Sequence, residues 1–278
     1  MIGREYSHVF PPKPALAANG RPPTLEARNL SWSDRLKDVS LSVRAGEVLG
    51  LGGLDGQGQR ELLLALFGVL RGTSGQILID GKPISIKSPR AAKSPGIGMA
   101  LIPEDRKTEG LMLPMSVKVN LSFAALDHVS RRGVVDRAHE RRLIEEMIEL
   151  LQIRTDGTDI PVAALSGGNQ QKVVIAKWLM VQPRIILLND PTRGIDVGTK
   201  VELYQLLRKL ASSGAAIIFY STDYDELIGC CDRVLVLYDG AVRRELVGAE
   251  ITERALVGSA LNIGTQGNGA ATGSETRV

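Results

Sequence analysis

The run L-S-G-G-N-Q-Q-K from Leu165 to Lys172 stands one helix length ahead of the apolar strand I-I-L-L-N-D-P-T, and this pair constrains the chain most. A Ser-Gly-Gly turn that opens a helix offers backbone N–H groups and a hydroxyl to an anion, because the first helical amides lack partners and the helix dipole is positive there. A phosphate suits such a turn. Around it strands and helices alternate, which predicts a mainly parallel, doubly wound sheet with helices on both faces.

At 278 residues and 44% hydrophobic content, the chain can bury one substantial core and a smaller subdomain. Residues 1 to about 23 hold Pro11, Pro12, Pro14, Pro22 and Pro23 and read as an extended linker. The small, polar stretch 262–278 reads as a disordered tail. Leu25–Leu30, Asp38–Val43, Glu47–Gly52 and Gln76–Ile79, the last running into the turn D-G-K-P, are expected as strands of a mixed edge sheet. Asp136–Leu151 carries an amphipathic helical pattern with Leu143, Ile144, Met147, Ile148 and Leu151 on one side. With Ser116–Leu126 it is expected to form a helical subdomain spanning about residues 104–165 of a domain covering 24–261.

Lys and Arg number 34 against 31 Asp and Glu, and a net charge of +3 is too slight to argue for nucleic acid or an anionic membrane surface. No stretch approaches the roughly 20 apolar residues of a membrane span, and the first residues hold no apolar signal core, so any membrane link runs through a partner. Cys230 and Cys231 are neighbours, and a disulfide between them is badly strained, so they read as buried thiols in a reducing compartment.

Upstream, the strand E-V-L-G-L-G leads into G-L-D-G-Q-G-Q-R-E, where Gly53 and Gly58 have the spacing of the phosphate loop G-x-x-x-x-G-K-[ST] and Gly56 adds a third glycine. Glycines there let the backbone turn its amides onto phosphate oxygens as an anion-binding nest. Gln59 stands where the motif needs a lysine, and Arg60 where it needs a magnesium-binding hydroxyl. Arg60 restores positive charge with a planar head that does not reproduce a lysine's point charge, while Glu61 adds a negative one nearby. Alone, such a loop is a tight turn about as often as a nucleotide site. In order with the downstream blocks, it is more than that.

Glycine loop, L-S-G-G-N-Q-Q-K turn and I-I-L-L-N-D-P-T strand, in this order, resemble the ATP-binding cassette of ABC transporters over roughly residues 25–256. The resemblance implies an α/β fold with a P-loop NTPase-type parallel sheet core, an N-terminal antiparallel β subdomain and a small α-helical subdomain. It implies ATP and Mg2+ as ligands, bound between two cassettes that each lend the Ser-Gly-Gly turn to the other's phosphate loop. By position, Trp32 matches the aromatic that stacks on adenine, although a core or surface aromatic accounts for it somewhat better. The family's strand ends in Asp-Glu, a magnesium ligand and a base for the attacking water. Here the pair is Asn189-Asp190. Asn189 lacks the charge that favours a hard cation, and Asp190 is one methylene short as a base; in the other register Asp190 takes the metal and leaves no base. The family's switch histidine is Thr222, and none of His8, His128 or His139 replaces it by position. The Q-loop glutamine, which contacts magnesium and relays to the membrane partner, is Glu104. Asp196 reads as a helix N-cap, as a dimer contact, or as both.

The segment P-E-D-R-K-T-E-G-L followed by M-S-V-K-V-N-L-S looks like the second cassette of tandem ATPases for bacterial monosaccharide import, of the ribose, galactose and xylose type. In that subfamily the second phosphate loop is commonly degenerate and the L-S-G-G-N-Q-Q-K turn intact. The resemblance implies that Ser166, Gly167 and Gly168 complete a partner cassette's ATP site while the chain's own site hydrolyses slowly or not at all. It further implies a membrane permease, a periplasmic sugar-binding protein acting indirectly, and a place on the cytoplasmic face of the plasma membrane. The partner cassette is a tandem N-terminal half or a second copy. Competing readings are a soluble, non-transport nucleotide-gated module and a structural protein that binds no nucleotide.

Overall fold

The computed structural model describes residues 10–13 and 22–263. Most of the expected linker and nearly all of the expected tail, residues 1–9, 14–21 and 264–278, lie outside the described residues. In chain order the elements are β1 (Leu25–Trp32), β2 (Leu36–Val43), β3 (Val48–Gly52), α1 (Gln59–Leu66), β4 (Ser74–Ile79), β5 (Lys82–Ile84), α2 (Pro89–Ala92), β6 (Met99–Ile102), α3 (Val117–Ser122), α4 (Leu126–Val129), β7 (Ser130–Arg131), β8 (Val134–Val135), α5 (Arg137–Leu151), α6 (Gly167–Leu179), β9 (Ile185–Asn189), α7 (Val197–Ser212), β10 (Ala216–Tyr220), α8 (Tyr224–Cys230), β11 (Arg233–Tyr238), β12 (Ala241–Val247) and α9 (Glu253–Ala260).

Six strands form the central sheet in the order β12-β11-β3-β10-β9-β6, parallel except for the edge strand β12. Every residue of β3, β6, β9 and β10 is buried, as expected of strands covered on both faces. Alternate residues feed two cores. Ile186, Leu188, Ile217 and Phe219 join the cluster beneath α6 and α7, whereas Ile185, Leu187, Ile218 and Tyr220 join the one beneath α1 and the second sheet. That second sheet, β2-β1-β4-β5, is antiparallel throughout.

One expectation needs correction. The sequence leads one to expect Glu47–Gly52 among the edge strands, but β3 lies in the middle of the parallel sheet, between β11 and β10. Its five buried residues V-L-G-L-G leave no polar face, which an edge sheet with a solvated side would require. The central position matters, because it aims the loop after β3 at the carboxyl ends of β9, β10 and β11, where ligands of open α/β sheets bind.

Helices α3, α4 and α5 share the first core through Val117, Leu121, Val129, Ile144 and Leu151. Of the face expected on α5, Ile144 and Leu151 are buried, and Leu143, Met147 and Ile148 pack half-buried against the same cluster. Asp136 caps that helix, accepting from the N–H groups of Ala138 and His139 at 3.2 and 3.0 Å. Cys230 and Cys231 are buried free thiols.

Candidate functional site

The glycine loop is shaped by what presses on it. Gly53 has φ +127°, and a Cβ there would lie 2.4 Å from the Leu237 carbonyl oxygen; at Gly58, φ +105°, it would lie 2.8 Å from that of Arg35. Strand β11 and the β1–β2 turn therefore allow glycine only. Gly56, φ +77°, faces open space. All three glycines of the expected nest, Gly53, Gly56 and Gly58, adopt positive φ.

Its interior is filled by the chain itself. The Gln59 side chain is 1% exposed; its Nε2 donates to the carbonyls of Gly52 and Leu54 at 3.2 and 3.0 Å, and its Oε1 accepts the Gln57 N–H at 3.0 Å. It thus takes one of the amides a phosphate oxygen would use. Arg60 points elsewhere and pairs with Glu109 at 2.5 Å, so its charge is already matched. Glu61 keeps one carboxylate oxygen buried without a partner.

At the end of β9, Asn189 is 3% exposed and its Oδ1 has no hydrogen-bond partner. Asp190 follows in the left-handed region at φ 45°, with its N–H donating to the Tyr220 carbonyl at 3.0 Å. Thr222 Oγ1 donates to Asp190 Oδ2 at 2.8 Å, so the base and switch positions meet directly. Burial pushes the Asp190 carboxyl above its ordinary range, against the opposing effect of the Thr222 hydrogen bond, and the charges of Glu226 and Glu104 push it further up. Glu104 itself is ion-paired with Arg193.

The L-S-G-G turn lies apart from this group. Ser166 caps α6, its Oγ accepting from the N–H and Nδ2 of Asn169 at 3.4 and 3.0 Å. Next to it runs the stretch after β9, where Asp196 caps α7 by accepting the Thr199 N–H at 3.0 Å and hydroxyl at 2.9 Å. A Cβ on Gly168 would come 2.6 Å from Thr199 Oγ1, and one on Gly167 2.9 Å from Arg106 Nη2. Among the described residues, no hydrogen bond or ion pair joins Ser166, Gly167 or Gly168 to the glycine loop. Trp32 is half-buried at the end of β1, its Nε1 donating to the Arg71 carbonyl at 2.9 Å.

Several polar groups had no place in the sequence reading. Tyr220 donates to Asp55 of the glycine loop at 3.0 Å. Glu226, 1% exposed, accepts from Thr192 and Ser221 through Oε2 and from Lys200 and Tyr204 through Oε1. Apart from the Ser221–Glu226 bond, these contacts join segments far apart in sequence, so no spacing announces them. Arg106 lay inside the quoted P-E-D-R-K run without an assigned role.

The residues present fit the two implied ligands unequally. The positive-φ glycine loop suits a phosphate, with its Gln57 amide taken by Gln59. Magnesium finds neither a hydroxyl at residue 60 nor a carboxylate at residue 189, and among the described residues no three His, Cys, Asp or Glu side chains converge on one point. The chain's own site does not fit the metal.

The ABC transporter family model matches residues 36–193. Ribose import ATP-binding protein RbsA 1 of Mesorhizobium japonicum is 78% identical over 263 residues, 95% of this chain and 51% of that protein. The protein of the same name from Rhizobium johnstonii is 71% identical over the same shares. The chain therefore spans about half the length of the curated relatives it matches. A nucleotide-free ATP-binding cassette from an ABC transporter superposes with a TM-score of 0.71 at 21% identity, over 84% of this chain and 95% of that one, which shows the shared fold. The glycine loop, the capped Ser-Gly-Gly turn and the parallel sheet that aligns them, together with these matches, place the chain in the ABC transporter family as an ATP-binding domain.

Proposed function

We propose that this chain is the ATP-binding part of a bacterial sugar importer, and that within it the chain lends Ser166, Gly167 and Gly168 to a partner cassette's ATP site. One contrast carries the reading. The capped Ser-Gly-Gly turn keeps its form, while the chain's own loop is filled by Gln59 and backed by Asn189, whose Oδ1 is buried and unpaired. Hydrolysis at the chain's own site is then weak or absent, since neither a phosphate-binding lysine nor a metal carboxylate is supplied there. ATP trapped between two cassettes draws them together and hydrolysis lets them part. In this scheme Glu104 and helices α3–α5 pass the motion to a membrane permease, which a periplasmic sugar-binding protein loads. The cassette pair then sits on the cytoplasmic face of the membrane; none of the helices described is long and apolar enough to cross it. The import assignment rests on the names of the ribose import relatives.

The test pairs this chain with the portion of the 78% identical Mesorhizobium protein that it does not cover. In sedimentation velocity, ATP is expected to bring the two together, and ADP is not. Replacing Ser166 with Arg is expected to abolish that association. Association that ignores the nucleotide, or that survives at Ser166→Arg, defeats the reading. Calorimetry with magnesium-ATP on this chain alone distinguishes a loop that binds weakly from one that binds nothing.

A further inference from the structure

Three arginines surround the turn that follows β6, and two of them are matched by carboxylates. Arg60 pairs with Glu109, and Arg193 pairs with Glu104. The guanidinium of the third, Arg106, makes no hydrogen bond or ion pair among the described residues. Its Nε is buried without a partner. Asp105, its neighbour in sequence, spends its carboxylate on the N–H groups of Lys107 and Thr108. Asp196 is likewise occupied, by Thr199. A guanidinium carries five donors, and withdrawing one of them from water without an acceptor is unfavourable unless something else supplies the acceptor.

The guanidinium lies between two loops. A Cβ on Gly167, in the Ser-Gly-Gly turn, would be 2.9 Å from its Nη2, and one on Gly194, in the stretch after β9, 3.8 Å from its Nη1. Gly167 is thus a position where a side chain would displace Arg106. The arginine is also held in register with α6. Arg106–Gly110 form a single π-helical turn, an uncommon geometry frequent at functional sites. That turn is clamped from α6: Gly110 lies so close to Val174 that a Cβ would meet it at 2.9 Å, and Lys177 Nζ donates to the Gly110 carbonyl. The turn is therefore packed on the same helix that opens with the Ser-Gly-Gly turn, with the guanidinium beside Gly167.

We infer that Arg106 is a phosphate-binding residue of the composite site, meeting the terminal phosphate of the ATP that the partner cassette presents to Ser166, Gly167 and Gly168. This rests on the reading that the chain donates its Ser-Gly-Gly turn. Backbone amides and a hydroxyl supply dipoles only; a planar guanidinium beside them supplies the full positive charge and paired donors that match phosphate oxygens. The charge missing at Gln59 from the chain's own site is thus present at the other end, where it acts on the neighbour's nucleotide. An arginine reaching a phosphoryl group from a second protein is a recurrent solution to this electrostatic problem.

The test uses the same two-component mixture, with Arg106→Gln and Arg106→Lys and with sedimentation, not turnover, as the readout. Arg106→Gln is expected to raise the ATP concentration for half-maximal association about tenfold or more, the loss of a charge-assisted contact. Arg106→Lys is expected to fall between, and ADP, which lacks the terminal phosphate, is expected to bring neither variant together with the partner. Unaltered ATP dependence at Arg106→Gln, with wild-type association intact, overturns the role of Arg106 and leaves the donor reading standing. Equal loss in both variants with a lowered melting temperature makes Arg106 a structural residue and also overturns it. If the wild-type mixture does not associate with ATP, the donor reading fails first and Arg106 has no phosphate to meet.

Discussion

Replacing Glu226 with Ala removes the acceptor that four side chains share. Ser221 follows β10, Thr192 follows β9, and Lys200 and Tyr204 lie on α7; their hydrogen bonds to Glu226 are 2.7, 2.7, 2.7 and 2.8 Å. Removing one member of a buried ion pair costs about 3–5 kcal/mol. The Lys200 side chain is 25% exposed, so its ammonium recovers part of its hydration and the ion-pair share falls to the low end of that range. Three buried hydroxyls add desolvation of about 1–3 kcal/mol each where unpaired, although a water admitted to the vacated volume satisfies one or two of them. A net loss of about 4 kcal/mol follows, a large share of the roughly 5–15 kcal/mol that holds a domain folded. With a urea slope of about 3 kcal/mol/M for a domain of this size, the denaturation midpoint should fall by about 1.3 M. Glu226→Gln retains one oxygen acceptor and should lose about half as much. Midpoints from far-ultraviolet circular dichroism measure both. A fall under about 0.3 M for Glu226→Ala would refute the view that this carboxylate ties the switch region together.

Restoring Gln59→Lys alone should leave ATP hydrolysis by the isolated chain low, because Arg60, Asn189, Asp190 and Thr222 remain as they are; a large gain in phosphate release would show that the lysine was the only deficit. Asp190→Asn should stabilise the fold at pH 7. Burial holds the Asp190 carboxyl above its ordinary 3.8 in the folded state, so the unfolded chain ionises first and the charged form costs stability above the raised pKa. The gain from Asn should shrink as pH falls through that raised value and vanish below about 3.8, where both states hold the proton. Paired urea midpoints at pH 7 and pH 4 check it, and a gain that does not change with pH would sink the assignment.

What the sequence disclosed was whatever backbone geometry forces onto residue identity at fixed spacing. Gly53 and Gly58 can only be glycine, with Leu237 and Arg35 pressing on them, and Ser166 and Asp196 cap helices where the pattern places them. The strand β3 was found by its apolar run but placed in the wrong sheet, because a run of five residues carries no label for its neighbours. Glu226 was invisible for a different reason. A carboxylate two residues into a helix reads as favourable dipole charge on a solvated turn, and only the fold brings Thr192 and Tyr204 onto it. Arg106 was legible as part of a motif but not as an unmatched charge, since that depends on where Glu104, Asp105 and Glu109 spend theirs.

The uneven state of the two ends of the site has a physical basis in how little connects them. The changes at Gln59 and Arg60 fall at the start of α1 and that at Asn189 at the end of β9, whereas the Ser-Gly-Gly turn is capped by Ser166 and lies against Thr199 and Arg106. The ion pair of Arg60 with Glu109 is the bond described between the glycine-loop helix and the π-helical turn of Arg106. Its side chains are 47% and 39% exposed, and an exposed pair of this kind is worth about 0–1 kcal/mol. Changes at the phosphate loop therefore exert little force on the Ser-Gly-Gly turn. The reverse also holds: Gln59 satisfies the loop's own carbonyls and one amide, so the loop needs neither lysine nor phosphate to keep its shape. On the proposed reading, this separation is what lets Ser166, Gly167, Gly168 and Arg106 stay ordered for a partner cassette whatever the state of the chain's own loop.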